Sequence, residues 1–135
     1  MTTRTEGGRT LVHDPVRRRW VVLTPEEGVR QRLLDDLLAL GYPPGLLAVE
    51  RGVPFGGKTW RADVVAYDRA QRPALLAECK APGVAVTQAA FDQLGRYNAV
   101  LGAPVLVVDN GHARYCCVLE ADGWRFVEAI PAFAG

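Results

Sequence analysis

A mixed α/β fold, with a small central sheet flanked by helices, is the architecture this sequence predicts. Two segments carry helix start and stop signals, and short apolar runs at strand spacing lie between and after them. Their order is helix, three strands, helix, then two or three strands, which suits helices packed on a mixed sheet. The chain has 135 residues, 49% hydrophobic and 23% charged, enough for one compact domain and too apolar for a disordered chain. Fourteen Gly and nine Pro without a period exclude collagen and imply many tight connections.

Residues 1–19 are polar, Gly-containing and aperiodic, and are expected to form a flexible N-terminal arm. Arg17-Arg18-Arg19 ends the arm, either as a solvated run or as a phosphate contact. Trp20 to Leu23 reads as a short strand. Thr24-Pro25-Glu26-Glu27 then starts a helix, with Thr24 as N-cap, Pro25 at the first helical position and acids at the positive end of the dipole. Glu27 three residues after Thr24 also fits a capping box. The helix carries Val29, Leu33, Leu34, Leu37, Leu38 and Leu40, and Gly41 with Pro43-Pro44 ends it.

Leu46 to Val53 and Trp60 to Tyr67 follow as strands separated by Pro54-Phe55-Gly56-Gly57-Lys58. Ala74 to Lys80 is a third strand, apolar nearly throughout, as expected of a strand covered on both faces. Thr87 caps a second helix that ends near Leu101 at Gly102. Pro104 to Val108, Arg114 to Leu119 and Trp124 to Val127 are strands, with tight turns at Asn110-Gly111 and Asp122-Gly123. Residues 20–130 are thus expected to form a single domain, with 131–135 as a tail.

Sixteen basic against fifteen acidic residues leave a formal charge of +1, so any nucleic-acid role must rest on local residues rather than bulk charge. The three Cys are an odd count. Cys116 and Cys117 are adjacent in a strand, where they project to opposite faces, and no CxxC or His ladder accompanies them. A disulfide framework and a zinc site are both disfavoured, and a reducing cytoplasm is the expected setting. No apolar run nears the roughly 18 residues of a membrane span, and the opening residues lack the apolar core of a secretory signal.

The chemistry is concentrated on two neighbouring strands. Asp63 lies in the first, and Glu78, Cys79 and Lys80 end the next. Residues two apart on a strand share a face, so Glu78 and Lys80 point one way and Cys79 the other. A hairpin between the strands would bring Asp63 near Glu78. Two close carboxylates resist joint ionisation, and a divalent cation relieves that conflict. Hard oxygen ligands suit Mg²⁺, which keeps several waters. Lys80 could then stabilise or help deprotonate a metal-activated water. The competing reading is an ordinary ion pair of Lys80 with Glu78 or Asp63 on an exposed sheet face, although the apolar flanks argue against exposure.

These residues resemble a known signature. Asp63 followed by Glu78-Cys79-Lys80 is similar to the D…(D/E)-x-K element of the PD-(D/E)XK nuclease superfamily, whose restriction-endonuclease-like core has the same element order. Thr24-Pro25-Glu26-Glu27, Val29-Arg30-Gln31, Gly41-Tyr42-Pro43, Glu78 to Pro82 and Gln93 through Tyr97-Asn98 together resemble the N-terminal nuclease domain of type I restriction subunits, in its small stand-alone form. The resemblance spans roughly residues 20 to 130. It implies Mg²⁺-dependent cleavage of DNA, with Mn²⁺ as a substitute, Asp63 and Glu78 as metal ligands, the Cys79 backbone carbonyl completing the coordination, and Lys80 positioning the attacking water. Ala62 stands where the superfamily pattern has Pro, a position that sets only backbone direction.

The family often adds an acid from the first helix. At 100° per residue, Glu26 lies about 20° from Leu33 and Leu37, whereas Glu27 lines up with Leu34 and Leu38 at the flank of the stripe. Glu26 is therefore expected nearer the buried face and is the candidate catalytic acid, although both acids also suit the helix dipole. Gln93 and Tyr97 match the family's Q-x-x-x-Y element and share a helix face, where they could meet DNA phosphate or orient Lys80, or be a core Tyr with a satisfied Gln. Arg96 and Lys58 are within reach of phosphate. His13 and His112 have no partners in sequence.

The resemblance thus implies a metal-dependent DNA endonuclease. The rival from another class is a non-catalytic DNA-binding or assembly module that keeps the fold, which the near-neutral charge favours because phosphate neutralisation dominates DNA affinity. RNA or branched DNA is a further substrate class. The chain has no Gly-x-x-x-x-Gly-Lys element, so a motor, or a modification or specificity subunit, would be a separate partner. A one-centre nuclease must form a homodimer or act twice to break both strands.

Overall fold

A computed structural model describes residues 1–135. Helix α1 (Pro25–Ala39) begins where Thr24 Oγ1 accepts the Glu27 N–H at 3.1 Å, as the capping residues predict. Its apolar stripe, Val29, Leu33, Leu34 and Leu37, is fully buried. Helix α2 (Gln88–Leu101) is capped by Thr87 and ends at Gly102 with a φ of 68°, the left-handed conformation that glycine adopts freely.

The two helices cover opposite faces of a six-stranded sheet in the order β4-β5-β6-β7-β8-β9. The strands are β4 (Leu47–Phe55), β5 (Lys58–Tyr67), β6 (Pro73–Cys79), β7 (Val105–Asp109), β8 (Arg114–Glu120) and β9 (Gly123–Val127). All neighbours are antiparallel except β6 and β7, which are parallel and joined through α2, the connection that parallel strands need. Leu33, Leu34 and Leu37 pack with Val64, Leu75, Ala77, Val107 and Cys116 on one face. Phe91 and Leu94 pack with Val65, Leu76, Leu106, Val108 and Cys117 on the other. Strand β6 is thus covered on both sides, as its apolar run predicts. Cys116 and Cys117 fall in separate cores, and all three Cys are free and buried.

Residues 1–19 are not a flexible arm. Strands β1 (Thr3–Glu6), β2 (Arg9–Asp14) and β3 (Arg19–Val22) form a separate antiparallel three-stranded sheet. Gly7 and Gly8, with φ of 58° and 78°, make the tight turn that joins β1 to β2, and Leu11, Val12 and Asp14 are buried. Residues 131–135, expected as a tail, are held at several points. Phe133 N–H donates to Leu40 C=O at 3.0 Å, Tyr42 Oη donates to Pro131 C=O at 2.9 Å, and the Tyr42 and Phe133 rings meet at 5.4 Å. Neither helix is long and apolar enough to cross a membrane.

Candidate active site

The site forms where the sheet loses its regular ladder. Pairing between β5 and β6 ends at Val64–Ala77, and pairing between β4 and β5 passes from Val49–Val64 to Arg51–Ala62 without joining Glu50 to Asp63. Glu50 adopts a φ of 56°, a conformation that costs a non-glycine residue about 1 kcal/mol or more. Asp63 therefore occupies a gap open on both sides. Its side chain fills part of that gap, with Oδ2 accepting the Cys79 N–H at 2.7 Å.

That bond fixes Asp63 against the end of β6, beside Glu78 and Lys80. Lys80 Nζ lies 3.9 Å from Glu78 Oε1, and its own N–H is held by Asp109 C=O at 2.8 Å. Burial pushes the Glu78 carboxyl up to about 7, with the Asp63 charge adding to the rise, Lys80 opposing it and Glu26 reinforcing it. Burial also raises Asp63, against the lowering effects of the Cys79 N–H, Arg30 and Lys80. Asp63, Glu78, Lys80 and Glu26 thus share one electrostatic environment, the first three from the strands the sequence singled out.

The two helix acids divide differently from the angular expectation. Glu27 is buried and Glu26 is exposed. The reason is the three-stranded sheet, which covers the Glu27 flank of α1 and was not anticipated. Glu27 Oε1 accepts from Arg17 Nη2 at 2.6 Å and from Arg30 Nη1 at 3.1 Å. Its Oε2 accepts from Gln31 Nε2 at 3.2 Å, and the same amide reaches Asp14 Oδ2 at 3.1 Å. Glu26 remains free of this network and close enough for its charge to raise Glu78.

Arg30 connects the network to the site, donating from Nη2 to Asp63 Oδ1 at 3.1 Å. Its Nη1 also lies 3.6 Å from Glu50, and its Nε is buried without a partner. A buried orphan donor opposes stability, so Arg30 is poorly explained as a packing residue alone. Arg17 is tied at its other end to Asp14, Nε to Oδ2 at 2.6 Å. Burial by itself would raise the fully buried Asp14, but hydrogen bonds from Arg17 and Val16 prevail and hold it below the usual carboxylate value. Sequence reasoning missed Asp14, Arg17, Arg30 and Glu50 as parts of the site. The available signal was Arg30, a charge about 40° from Glu26 on a stripe otherwise made of valine and leucine.

The remaining candidates lie on α2 and the β4–β5 hairpin. Tyr97 stacks on Trp60 with ring centres 4.0 Å apart and planes at 10°, and meets Phe55 edge-on at 4.9 Å. Gln93 Oε1 accepts from Arg96 Nη2. Lys58 is exposed at the start of β5, on the same hairpin as Phe55 and Trp60. No hydrogen bond joins Gln93 or Tyr97 to Lys80.

Asp63 and Glu78 are two carboxylates, and no group of three His, Cys, Asp or Glu gathers in metal-binding geometry. Two carboxylates nevertheless suit Mg²⁺, which fills its remaining positions with water. Each Asp63 oxygen accepts one hydrogen bond and retains a second lone pair.

Residues 25–131 match the family model described as the type I restriction enzyme R protein N terminus (HSDR_N). The chain belongs to this family. Among solved structures, it is similar to a fragment of an HsdR subunit of a type I restriction enzyme from Vibrio vulnificus YJ016. The TM-score is 0.58 at 18% identity, over 74% of this chain and 22% of that one. At that identity the likeness shows the shared fold. No curated protein matches the chain. The HSDR_N match begins at Pro25, so the three-stranded sheet and Arg17 lie outside it, whereas Arg30 and the five acids of the site region, Glu26, Glu27, Glu50, Asp63 and Glu78, lie within it.

Proposed function

We propose that this HSDR_N-family chain is a divalent-metal-dependent nuclease of the PD-(D/E)XK kind, hydrolysing phosphodiester bonds of DNA. The observation that carries the reading is the pair Asp63 and Glu78, half-buried together beside Lys80, where burial and the Asp63 charge push Glu78 up to about 7. A carboxylate kept from ionising by burial and by a neighbouring acid is a site suited to a cation, and no structural purpose for the arrangement is evident.

Mg²⁺ would be held by Asp63, Glu78 and the Cys79 carbonyl, with Mn²⁺ as a substitute, and when bound would polarise a phosphate oxygen and lower the pKa of water. The chain's own residues do the rest. Asp63 is oriented by the Cys79 N–H and by Arg30. Lys80, one side of its backbone anchored to β7, orients the attacking water and stabilises charge developing on phosphate. Glu26, exposed and near enough for its charge to act on Glu78, would accept a proton. Gln93, Arg96, Tyr97 and Lys58 form the DNA contacts on the α2 side. The chain spans 22% of the HsdR fragment and lacks a P-loop. Translocation, and modification or specificity functions, would therefore lie outside these 135 residues, and double-strand cleavage would take a second copy of the site or a second cut.

The near-neutral charge of +1 favours a second reading, a non-catalytic DNA-binding or assembly module. Nicking of supercoiled plasmid in Mg²⁺ or Mn²⁺ separates the two. Nicking by the wild type that Asp63→Ala and Lys80→Ala both abolish supports the nuclease. Salt-sensitive DNA binding without nicking in either metal supports the module.

A further inference from the structure

The first 24 residues pack against the site and carry most of the chain's unbalanced positive charge. They hold five Arg against Glu6 and Asp14, a net +3 in a chain of net +1, which leaves the remainder at −2. Their distribution is not that of a merely solvated segment. Asp14 and Arg17 turn inward and pair with each other, and Arg17 also pairs with Glu27. The turn between β2 and β3 is rigid, because Asp14 Oδ1 accepts the Val16 and Arg17 N–H groups at 2.7 and 2.9 Å and Arg18 N–H reaches Asp14 C=O at 2.8 Å.

Arg18, at φ 56°, and Arg19 are thereby exposed side by side, and neither forms an ion pair, nor does Arg9. On the same sheet Arg4 covers Trp20 at 4.2 Å, and Trp20 meets His13 edge-on at 5.3 Å. Arg17, one residue before Arg18, connects through Glu27 and Arg30 to Asp63. Unpaired guanidinium groups on a preorganised turn are suited to phosphate oxygens, since the backbone that carries them is already ordered before binding.

We infer that the three-stranded N-terminal sheet is a docking element for the phosphodiester backbone of duplex DNA, with Arg18 and Arg19 as phosphate contacts and Arg17 anchoring the sheet to the site. The inference rests on the nuclease reading above and adds to it where the polymer lies. It also accounts for affinity in a chain of near-zero net charge, because the positive charge is segregated onto one element.

The test uses the full chain and an Arg18→Gln/Arg19→Gln variant, bound to a fluorescein-labelled DNA duplex in EDTA and followed by anisotropy across a salt series. Removing two phosphate contacts is expected to raise Kd about tenfold at moderate salt. It should also flatten the slope of log Kd against log salt by about 2, with the urea midpoint of the variant unchanged. An Arg19→Gln single variant should flatten it by about 1. Equal slopes for wild type and double variant overturn the inference, as does a wild type that does not bind duplex. Plasmid nicking in Mg²⁺ is scored separately. Arginine-dependent binding without nicking leaves the docking element standing and the nuclease reading fallen, and nicking with unchanged slopes does the reverse.

Discussion

Asp63, the acid at the centre of the site, is held from α1 by Arg30, whose Nη2 donates to Oδ1 at 3.1 Å. The same guanidinium serves Glu27 through Nη1, so one buried cation satisfies two carboxylates from different elements. Replacing Arg30 with Met leaves both acids with little solvent and without that partner. Breaking such a buried pair costs about 3–5 kcal/mol, and urea denaturation at pH 7 should show a loss of that size. The loss should shrink toward pH 4, where Asp63, already raised by burial, takes up its proton. A change below about 1 kcal/mol at pH 7 would mean that Arg30 is not the partner the two acids depend on.

Glu78 gives the protein a pH dependence with a definite sign. Its carboxyl sits at about 7 in the fold against 4.5 as an ordinary glutamate, so the folded state binds the proton more tightly. The stabilisation from the protonated form is complete below about 4.5 and is lost as pH rises through 7. The shift corresponds to at most about 3 kcal/mol, nearer 2 because a quarter of the side chain is exposed. Glu78→Gln cannot ionise. Its stability relative to wild type should therefore rise by about 2 kcal/mol between pH 5 and pH 8 in EDTA, and if Mg²⁺ binds there as proposed, saturating Mg²⁺ should reduce the difference by stabilising wild type at pH 8. Parallel pH profiles for the two proteins would refute the raised carboxyl.

Local punctuation is legible in the sequence because its chemistry is local. Thr24, Thr87 and Gly102 act at the helix ends as their side chains or lack of one dictate, and the β6 run is apolar because helices cover both faces. The nearness of Asp63 and Glu78 was also legible, following from two strands joined by a short turn. The three-stranded sheet was not. Strand β1 exposes all four of its residues, so it has no apolar period, and its strand state comes from backbone pairing to β2 alone. Only Gly7-Gly8, a dipeptide suited to a two-residue hairpin turn, signalled it. Missing that sheet also reversed the burial of Glu26 and Glu27, since helix geometry cannot report what covers its flank.

The Asn110-Gly111 turn offers a test remote from the acids. Asn110 Oδ1 accepts the His112 and Ala113 N–H groups at 2.9 and 2.8 Å, which leaves Gly111 at φ +86°, where an added Cβ would stand 3.2 Å from Val29 Cγ2. Strain at φ and contact with the buried face of α1 act together, so Gly111→Ala should cost about 1–3 kcal/mol in thermal or urea unfolding. An unchanged midpoint would show that the turn relaxes freely.

Tyr97 separates a packing role from a contact role through its hydroxyl. The ring stacks on Trp60 at 4.0 Å, and Tyr97→Phe preserves that surface, so its stability should stay within about 0.5 kcal/mol of wild type. Tyr97→Ala removes the stack and should cost about 2 kcal/mol or more. If the hydroxyl meets DNA as proposed, Tyr97→Phe should weaken duplex binding about fivefold, the worth of one hydrogen bond of about 1 kcal/mol, with its unfolding midpoint unmoved. Stability and affinity thus part company in the Phe variant and fall together in the Ala variant. Equal Kd for Tyr97→Phe and wild type would leave the ring as a structural partner of Trp60 and remove Tyr97 from the DNA surface.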